Sequence, residues 1–211
     1  MYAENIRVNP IDITCIVFDF GFTLSSDLYF KVPPPECPDW QNLIQQNIFS
    51  DQGLVDDWMR GAATLQDIAF KLAPFVRMQT PRIMEYLEIG CRKLDFNQDV
   101  WDFAIDQLEK GRKTVIVTGN MDVFTQVVVP YHHLADQFDA IINSFDYQEL
   151  DKSILWSKAF ELIGDGVGYG QSLLIEDGEK NVMKFRGNGG YAYQYRGDAA
   201  FLAWLKSTGW K

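Results

Sequence analysis

The sequence predicts an α/β protein built on a parallel sheet with helices on both faces. Two observations carry this: short β-rich apolar runs alternate with helical patterns along most of the chain, and three of those runs stop abruptly at polar residues. A third observation divides the chain. From Asp39 to Lys93 the apolar period is helical, so a helical segment is inserted into the alternating part.

The first strand is read at Ile13 to Phe18, an unbroken apolar run of the kind a strand buried on both faces requires. Pro33-Pro34-Pro35, with Pro38 close behind, then marks an extended connection. The insertion shows apolar positions at helical spacing in four groups: Leu43, Ile44 and Ile48; Leu54, Val55 and Trp58; Leu65, Ile68, Ala69 and Leu72; Ile83, Met84, Leu87 and Ile89. Thr64 is read as an N-cap, and so is Thr80 with Pro81 at the first helical position. Beyond the insertion the order is a helix over Val100 to Leu108, a strand over Thr114 to Val117 and a helix after Met121. A strand over Ala140 to Ile142, a helix over Ile154 to Leu162 and a strand over Ser172 to Ile175 follow. Helices over Asn181 to Phe185 and Phe201 to Leu205 come last, with Tyr191, Tyr193 and Tyr195 between them at the alternation of a half-buried strand.

The chain has 211 residues, 47% of them hydrophobic and 14% aromatic, enough for one full core plus a modest insertion. The longest apolar runs, such as Ile13 to Phe18 and Val127 to Val129, fall far short of the roughly 20 residues that span a bilayer. Glu4, Asn5 and Arg7 precede the first apolar run, which is not the succession of a secretory leader, so a cytoplasmic location is expected. Cys15, Cys37 and Cys91 are odd in number and form no CxxC pair, so free thiols are expected. A formal charge of −10 opposes a large nucleic-acid surface, which needs clustered Lys and Arg. A small anionic substrate stays open, because a bound cation reverses the field within one cleft.

Ligands of open α/β sheets bind beyond the carboxyl ends of the strands, so the residues that follow each apolar run are the informative ones. Ile13 to Phe18 gives way to Asp19, Thr114 to Val117 to Thr118, and Ser172 to Ile175 to Glu176-Asp177. If those strands are neighbours, three carboxylates and a hydroxyl converge. Such a cluster raises its own pKa values unless a cation neutralises it, and magnesium suits carboxylate oxygens combined with substrate phosphate and water. Lys152 adds a positive charge before the next helix, with Lys158 nearby as its competitor.

These residues fall in the order of a family pattern. Phe18-Asp19-Phe20-Gly21-Phe22-Thr23-Leu24 resembles the first motif of the haloacid dehalogenase superfamily, Asp-x-Asp-x-Thr after an apolar strand. Val117-Thr118-Gly119-Asn120 resembles its second motif, Lys152 stands at the third, and Ile175-Glu176-Asp177-Gly178 onward is similar to the acidic fourth. Successive site positions are 99, 34 and 25 residues apart, and four motifs in order make a strong combination where each alone is weak. The resemblance implies a Rossmann-like three-layer core formed by residues 1–24 and 96–211, with residues 25–95 as a helical cap. It implies Asp19 as nucleophile forming an aspartyl-phosphate, and Thr118 and Lys152 holding the phosphoryl oxygens. It further implies magnesium held by Asp19, the Gly21 carbonyl and Asp177, with Glu176 as a further ligand or an orienting neighbour. The expected activity is a magnesium-dependent phosphatase acting on a small phosphorylated metabolite.

One position departs from the pattern. The second aspartate of the first motif, which protonates the leaving group and activates water, is Gly21 here. Glycine keeps the backbone carbonyl offered to the metal but not the acid, whose positioned equivalent contributes about 10²–10⁴-fold. Two alternatives follow: a phosphonatase-like hydrolase, for which Lys71 in the cap is the candidate amine, and a non-catalytic protein that retains the ion and anion site. Lys71 reads more simply as a snorkelling lysine on an amphipathic helix. His132 and His133 are adjacent, so they diverge on any regular element, and they are read as surface residues rather than a metal pair.

Overall fold

The computed structural model describes residues 9–210 apart from Leu28 and Asp165. Glu4, Asn5 and Arg7, on which the reading of the N-terminus rested, lie outside the described residues. Five strands, β1 (Cys15–Phe18), β2 (Lys113–Thr118), β3 (Ala140–Asn143), β4 (Ser172–Glu176) and β5 (Tyr191–Gln194), form one sheet in the order β3-β2-β1-β4-β5. Every pairing is parallel. The three central strands are buried along nearly their whole length, which is why they read as continuous apolar runs rather than alternating ones.

Between β1 and β2 lie α1 (Trp40–Ile44), which runs on into a π-helical turn over Gln45–Phe49, then α2 (Gln52–Met59), α3 (Leu65–Val76), α4 (Thr80–Arg92) and α5 (Gln98–Glu109). After β2 the chain makes a π-helical turn (Phe124–Val128) that continues into α6 (Val129–Tyr131). The rest comprises α7 (Ser144–Tyr147), α8 (Lys152–Ile163), α9 (Glu179–Gly187) and α10 (Asp198–Thr208). No helix among the described residues is long and apolar enough to cross a membrane.

Alternate strand residues feed two cores. Ile16, Phe18, Ile116, Leu173 and Ile175 face α5, α10 and the inserted helices, with Phe103 and Phe201 meeting edge to face at 5.5 Å. Val17, Val115, Val117 and Leu174 face the other way onto α8 and α9, where Trp156 and Phe185 meet edge to face at 4.9 Å. Aromatic pairs in this geometry add about 0.5–1.5 kcal/mol beyond their area burial. The α/β sheet with helices on both faces is thus as expected.

The insertion is held by its own start signals and by close approach. Thr64 caps α3 reciprocally with Asp67, a capping box. Thr80 is not a cap: Gln79, extended at φ −73° and ψ 141°, takes that position, and Thr80 and Pro81 fill the first turn. Proline is tolerated there because the N–H it lacks has no intrahelical acceptor. In α4, a Cβ on Gly90 would fall 2.7 Å from the Phe30 Cα. Glycine alone therefore lets that helix touch the Phe30 backbone, whose ring stacks on Trp58 at 5.8 Å.

One further reading needs correction. His132 is half-buried, edge to face with Phe96 at 5.0 Å and in hydrogen-bond contact with the Cys91 carbonyl at 3.2 Å. Its partners are distant in sequence, so no local pattern announced them. His133 is exposed, as expected. The three cysteines are free and buried.

Candidate active site

The chain runs outward from β1 through β2 to β3, then returns to the other side of β1 for β4 and β5. The crevice at such a reversal, between the carboxyl ends of β1 and β4, is where the topology leaves room for a ligand. The register pairs Phe18 with Ile116 on one side and Ile175 on the other. One residue further on, Asp19 emerges level with Glu176, and its N–H donates to the Ile175 carbonyl at 3.0 Å.

Lys152 reaches the same point from the first turn of α8. Asp151 caps that helix by accepting from the Ser153 N–H at 2.8 Å, and Lys184 donates to the same carboxylate at 2.5 Å. From this anchored start the Lys152 Nζ donates to Asp19 Oδ1 at 2.6 Å, to Glu176 Oε2 at 3.0 Å and to the Val117 carbonyl at 3.3 Å. Its three protons are all engaged. The other oxygen of Glu176 accepts from the Gly178 N–H at 3.1 Å, so this 1% exposed carboxylate is fixed at both ends. Asp177 is half-exposed, and its carbonyl accepts from Gln194 at 3.0 Å.

One ammonium does not balance three carboxylates. Burial, then the neighbouring Glu176 charge, push the Asp19 carboxyl up to about 6 against the opposing pull of Lys152. Asp177 is raised as well, by burial and then by Asp19. Burial alone would depress Lys152, yet Asp19 and Glu176 hold it above its ordinary value. Oxygens of Asp19, Glu176 and Asp177 all lie within 4.8 Å of one another. The set is hard, anionic and short of positive charge, so the residues fit a magnesium ion.

Thr118 closes β2, is buried, and lines the same cleft, a cavity of about 810 Å³. The structure therefore brings together Asp19, Gly21, Thr118, Lys152, Glu176 and Asp177. Lys158 points elsewhere and pairs with Glu161 at 3.3 Å. Lys71 pairs with Asp51 at 3.0 Å, and it does not line the cleft. At Gly21 nothing lies within 4 Å of the position a Cβ would take, and it is the next residue, Phe22, that adopts a left-handed φ of 55°.

Two cleft residues escaped the sequence reading. Asn120 Nδ2 donates to the Tyr29 hydroxyl at 2.8 Å, while Asn120 Oδ1 accepts from the Met121 N–H at 3.0 Å. Tyr29 so positioned has no acceptor for its own proton among the described residues. Burial raises its phenol well above the ordinary value, keeping it neutral. Asn120 follows a strand end and was reachable by the rule that found Thr118. Tyr29, in the insertion, carries no local signal.

A neighbouring carboxylate serves the insertion instead. Asp122, 2% exposed, accepts from Trp58 Nε1 at 2.7 Å, from the Leu65 N–H at 2.7 Å and from the Val123 N–H at 2.8 Å. It joins α2 and α3 to the segment that follows β2.

No family model matches the chain, and no curated protein does. Solved structures do. A haloacid dehalogenase (HAD) family enzyme from Bacteroides thetaiotaomicron, in complex with magnesium and inorganic phosphate, superposes with a TM-score of 0.62 at 14% identity, over 88% of this chain and 95% of that one. L-2-haloacid dehalogenase from Xanthobacter autotrophicus gives 0.62 at 17% identity, over 93% and 83%. A "predicted HAD-like family hydrolase" from Porphyromonas gingivalis gives 0.63 at 13% identity, over 92% and 98%. The chain has the haloacid dehalogenase-like fold.

Proposed function

We propose that the chain is a magnesium-dependent phosphatase that hydrolyses a small phosphomonoester through an aspartyl-phosphate on Asp19. The observation that carries this is the Asp19 carboxylate, buried at the sheet reversal, bonded to Lys152 and within ligand distance of Glu176 and Asp177. The Bacteroides enzyme, crystallised with magnesium and phosphate, supports the same reading.

In this reading the free oxygen of Asp19 attacks phosphorus while Lys152 orients the carboxylate, and the Thr118 hydroxyl donates to a phosphoryl oxygen. Asp19, the Gly21 carbonyl and Asp177 would hold magnesium, with Glu176 tying Lys152 in place or joining the ligand set. When bound, the ion would neutralise the charge that develops on the phosphoryl group. Gly21 supplies no proton to the leaving oxygen. We assign that role to Tyr29, a neutral hydroxyl in the cleft whose proton is uncommitted. Water then attacks phosphorus of the acyl-phosphate, its proton passing to the phenolate left when the leaving oxygen was protonated, and phosphate departs to regenerate Asp19. Residues 25–95 serve as the cap, bringing Tyr29 and an apolar wall over the leaving group and excluding water. Three free thiols suit a reducing compartment, and we propose the cytoplasm.

A panel of phosphomonoesters assayed with and without magnesium tests the reading. Phosphate release that depends on magnesium and disappears in Asp177→Asn, while Asp177→Glu keeps part of it, is expected. Equal magnesium affinity of the parent and Asp177→Asn by calorimetry would remove Asp177 from the metal site, and no release from any ester would remove the activity.

A further inference from the structure

The cleft is far larger than a phosphate group, and its two sides differ in chemistry. Beyond the strand ends its wall is largely apolar: Phe22, Ile44, Phe49, Val55, Met59 and Leu150 line it, together with the exposed Gln41, Asn42 and Gln45, of which Gln41 donates to the Lys31 carbonyl and Asn42 to Asp39. Lys152 is the sole cation among the described lining residues, and its three protons are already engaged by Asp19, Glu176 and the Val117 carbonyl. The wall also carries two carboxylates. Asp27 is ion-paired with Lys31, and Asp56 accepts from Gln52 Nε2 at 2.7 Å.

A second anion on the substrate would thus lose its hydration against apolar side chains, and would face carboxylates with no cation to answer it. A substrate ammonium would find Asp27 already paired with Lys31 and one oxygen of Asp56 taken by Gln52, and would lose its own hydration against the apolar side chains of the same wall. An uncharged apolar body loses nothing polar and covers the wall. We propose that the cleft selects phosphomonoesters of an uncharged alcohol with an apolar body, and rejects those whose alcohol carries a carboxylate or a second phosphate. The proposal deepens the phosphatase reading and rests on it for the position of the phosphoryl group.

The test is calorimetric, on the full chain with saturating magnesium, using three non-hydrolysable probes matched in length: hexylphosphonate, 6-phosphonohexanoate and 6-aminohexylphosphonate. Hexylphosphonate is expected to bind at least tenfold more tightly than the carboxylate probe and more tightly than the ammonium probe. The variant Val55→Lys, which places a cation on the wall, is expected to narrow the hexyl-to-carboxylate ratio at least fivefold. Equal or tighter binding of the carboxylate probe, tightest binding of the ammonium probe, no binding of any probe, or an unchanged ratio in Val55→Lys would each overturn the proposal. Phosphate release from hexyl phosphate is followed in parallel. The expected binding order without release would leave the selectivity standing and remove hydrolysis alone.

Discussion

Asp19 and Asp122 are both buried carboxylates beyond the end of a central strand, yet their surroundings differ in kind. Asp122 is met by three neutral N–H donors and no charge, two of them from the inserted helices. Asp19 is met by an ammonium and two further carboxylates. A carboxylate surrounded by donors is satisfied and joins two parts of the fold. One surrounded by other charges is held in a costly state, and its neighbours make sense only if something else is to bind. That contrast separates structural from functional acids where burial alone does not.

The largest expected effect breaks the functional side. Asp19→Asn should lower kcat on the order of 10⁴-fold or more, while the metal-free protein melts no lower than the parent because the amide relieves a crowded set of charges. Kinetics paired with thermal melting check this; turnover within tenfold of the parent would end the nucleophile assignment. Asp122→Ala tests the other side. It leaves the Trp58 indole and the Leu65 amide without their acceptor, and buried groups so orphaned cost about 1–3 kcal/mol each. Urea denaturation should show a loss of that order, with residual activity changed in KM more than in kcat; a loss below about 0.5 kcal/mol, the usual scatter of surface substitutions, would mean the seam is held elsewhere.

The leaving group sharpens the comparison. Gly21 has open space at its Cβ and no left-handed φ, so Gly21→Asp is tolerated. In a Tyr29→Phe background it should restore turnover of alkyl phosphates by about 10²-fold and change an activated aryl phosphate hardly at all, the low end for a positioned acid. Tyr29→Phe should slow the alkyl esters selectively. A uniform fall across leaving groups would demote Tyr29 to a packing residue. The smallest effect concerns the cap of α8. Asp151→Ala should cost about 1 kcal/mol at neutral pH, and since the Asp151 side chain is 42% exposed the ion pair with Lys184 adds little. Lys184 and Ser153 hold the Asp151 carboxyl down to about 2, below its unfolded value. Its contribution is therefore complete above the unfolded value and fades as pH falls through 2. Parent and variant should converge there in denaturation series, and a constant gap would contradict the cap.

Much of this was legible in the sequence because it depended on local chemistry. Buried parallel strands must be continuous apolar runs, so β1, β2, β3 and β4 showed themselves, and Asp19, Thr118 and the Glu176-Asp177 pair followed as the polar residues after them. Lys152 could not be separated from Lys158 by pattern, since the choice depends on which face of α8 meets the strand ends. Thr80 was misread because a β-hydroxyl beside proline looks alike at the cap and at the first helical position. Tyr29, Asn120 and Asp122 form bonds across 91 and 64 residues of sequence, to Asn120 and Trp58 in turn. No periodicity encodes such partners. The short α7 went unread because four residues hold too little pattern.

The strand order has a consequence for synthesis. β1 is the first strand of the described residues, yet it lies at the centre of the sheet, and its neighbour β4 begins only at Ser172. A chain emerging from the ribosome exposes one side of β1 until more than 150 residues have followed, and Lys152 follows Asp19 only after 133 residues and Glu176 only after 157. Chains are made at about 5–20 residues per second, so for roughly ten seconds or more the nascent protein carries an unpaired apolar edge and an unassembled site. Translation cut short before Lys152 would yield a product that has Asp19 but none of the charged side chains that surround it in the finished fold.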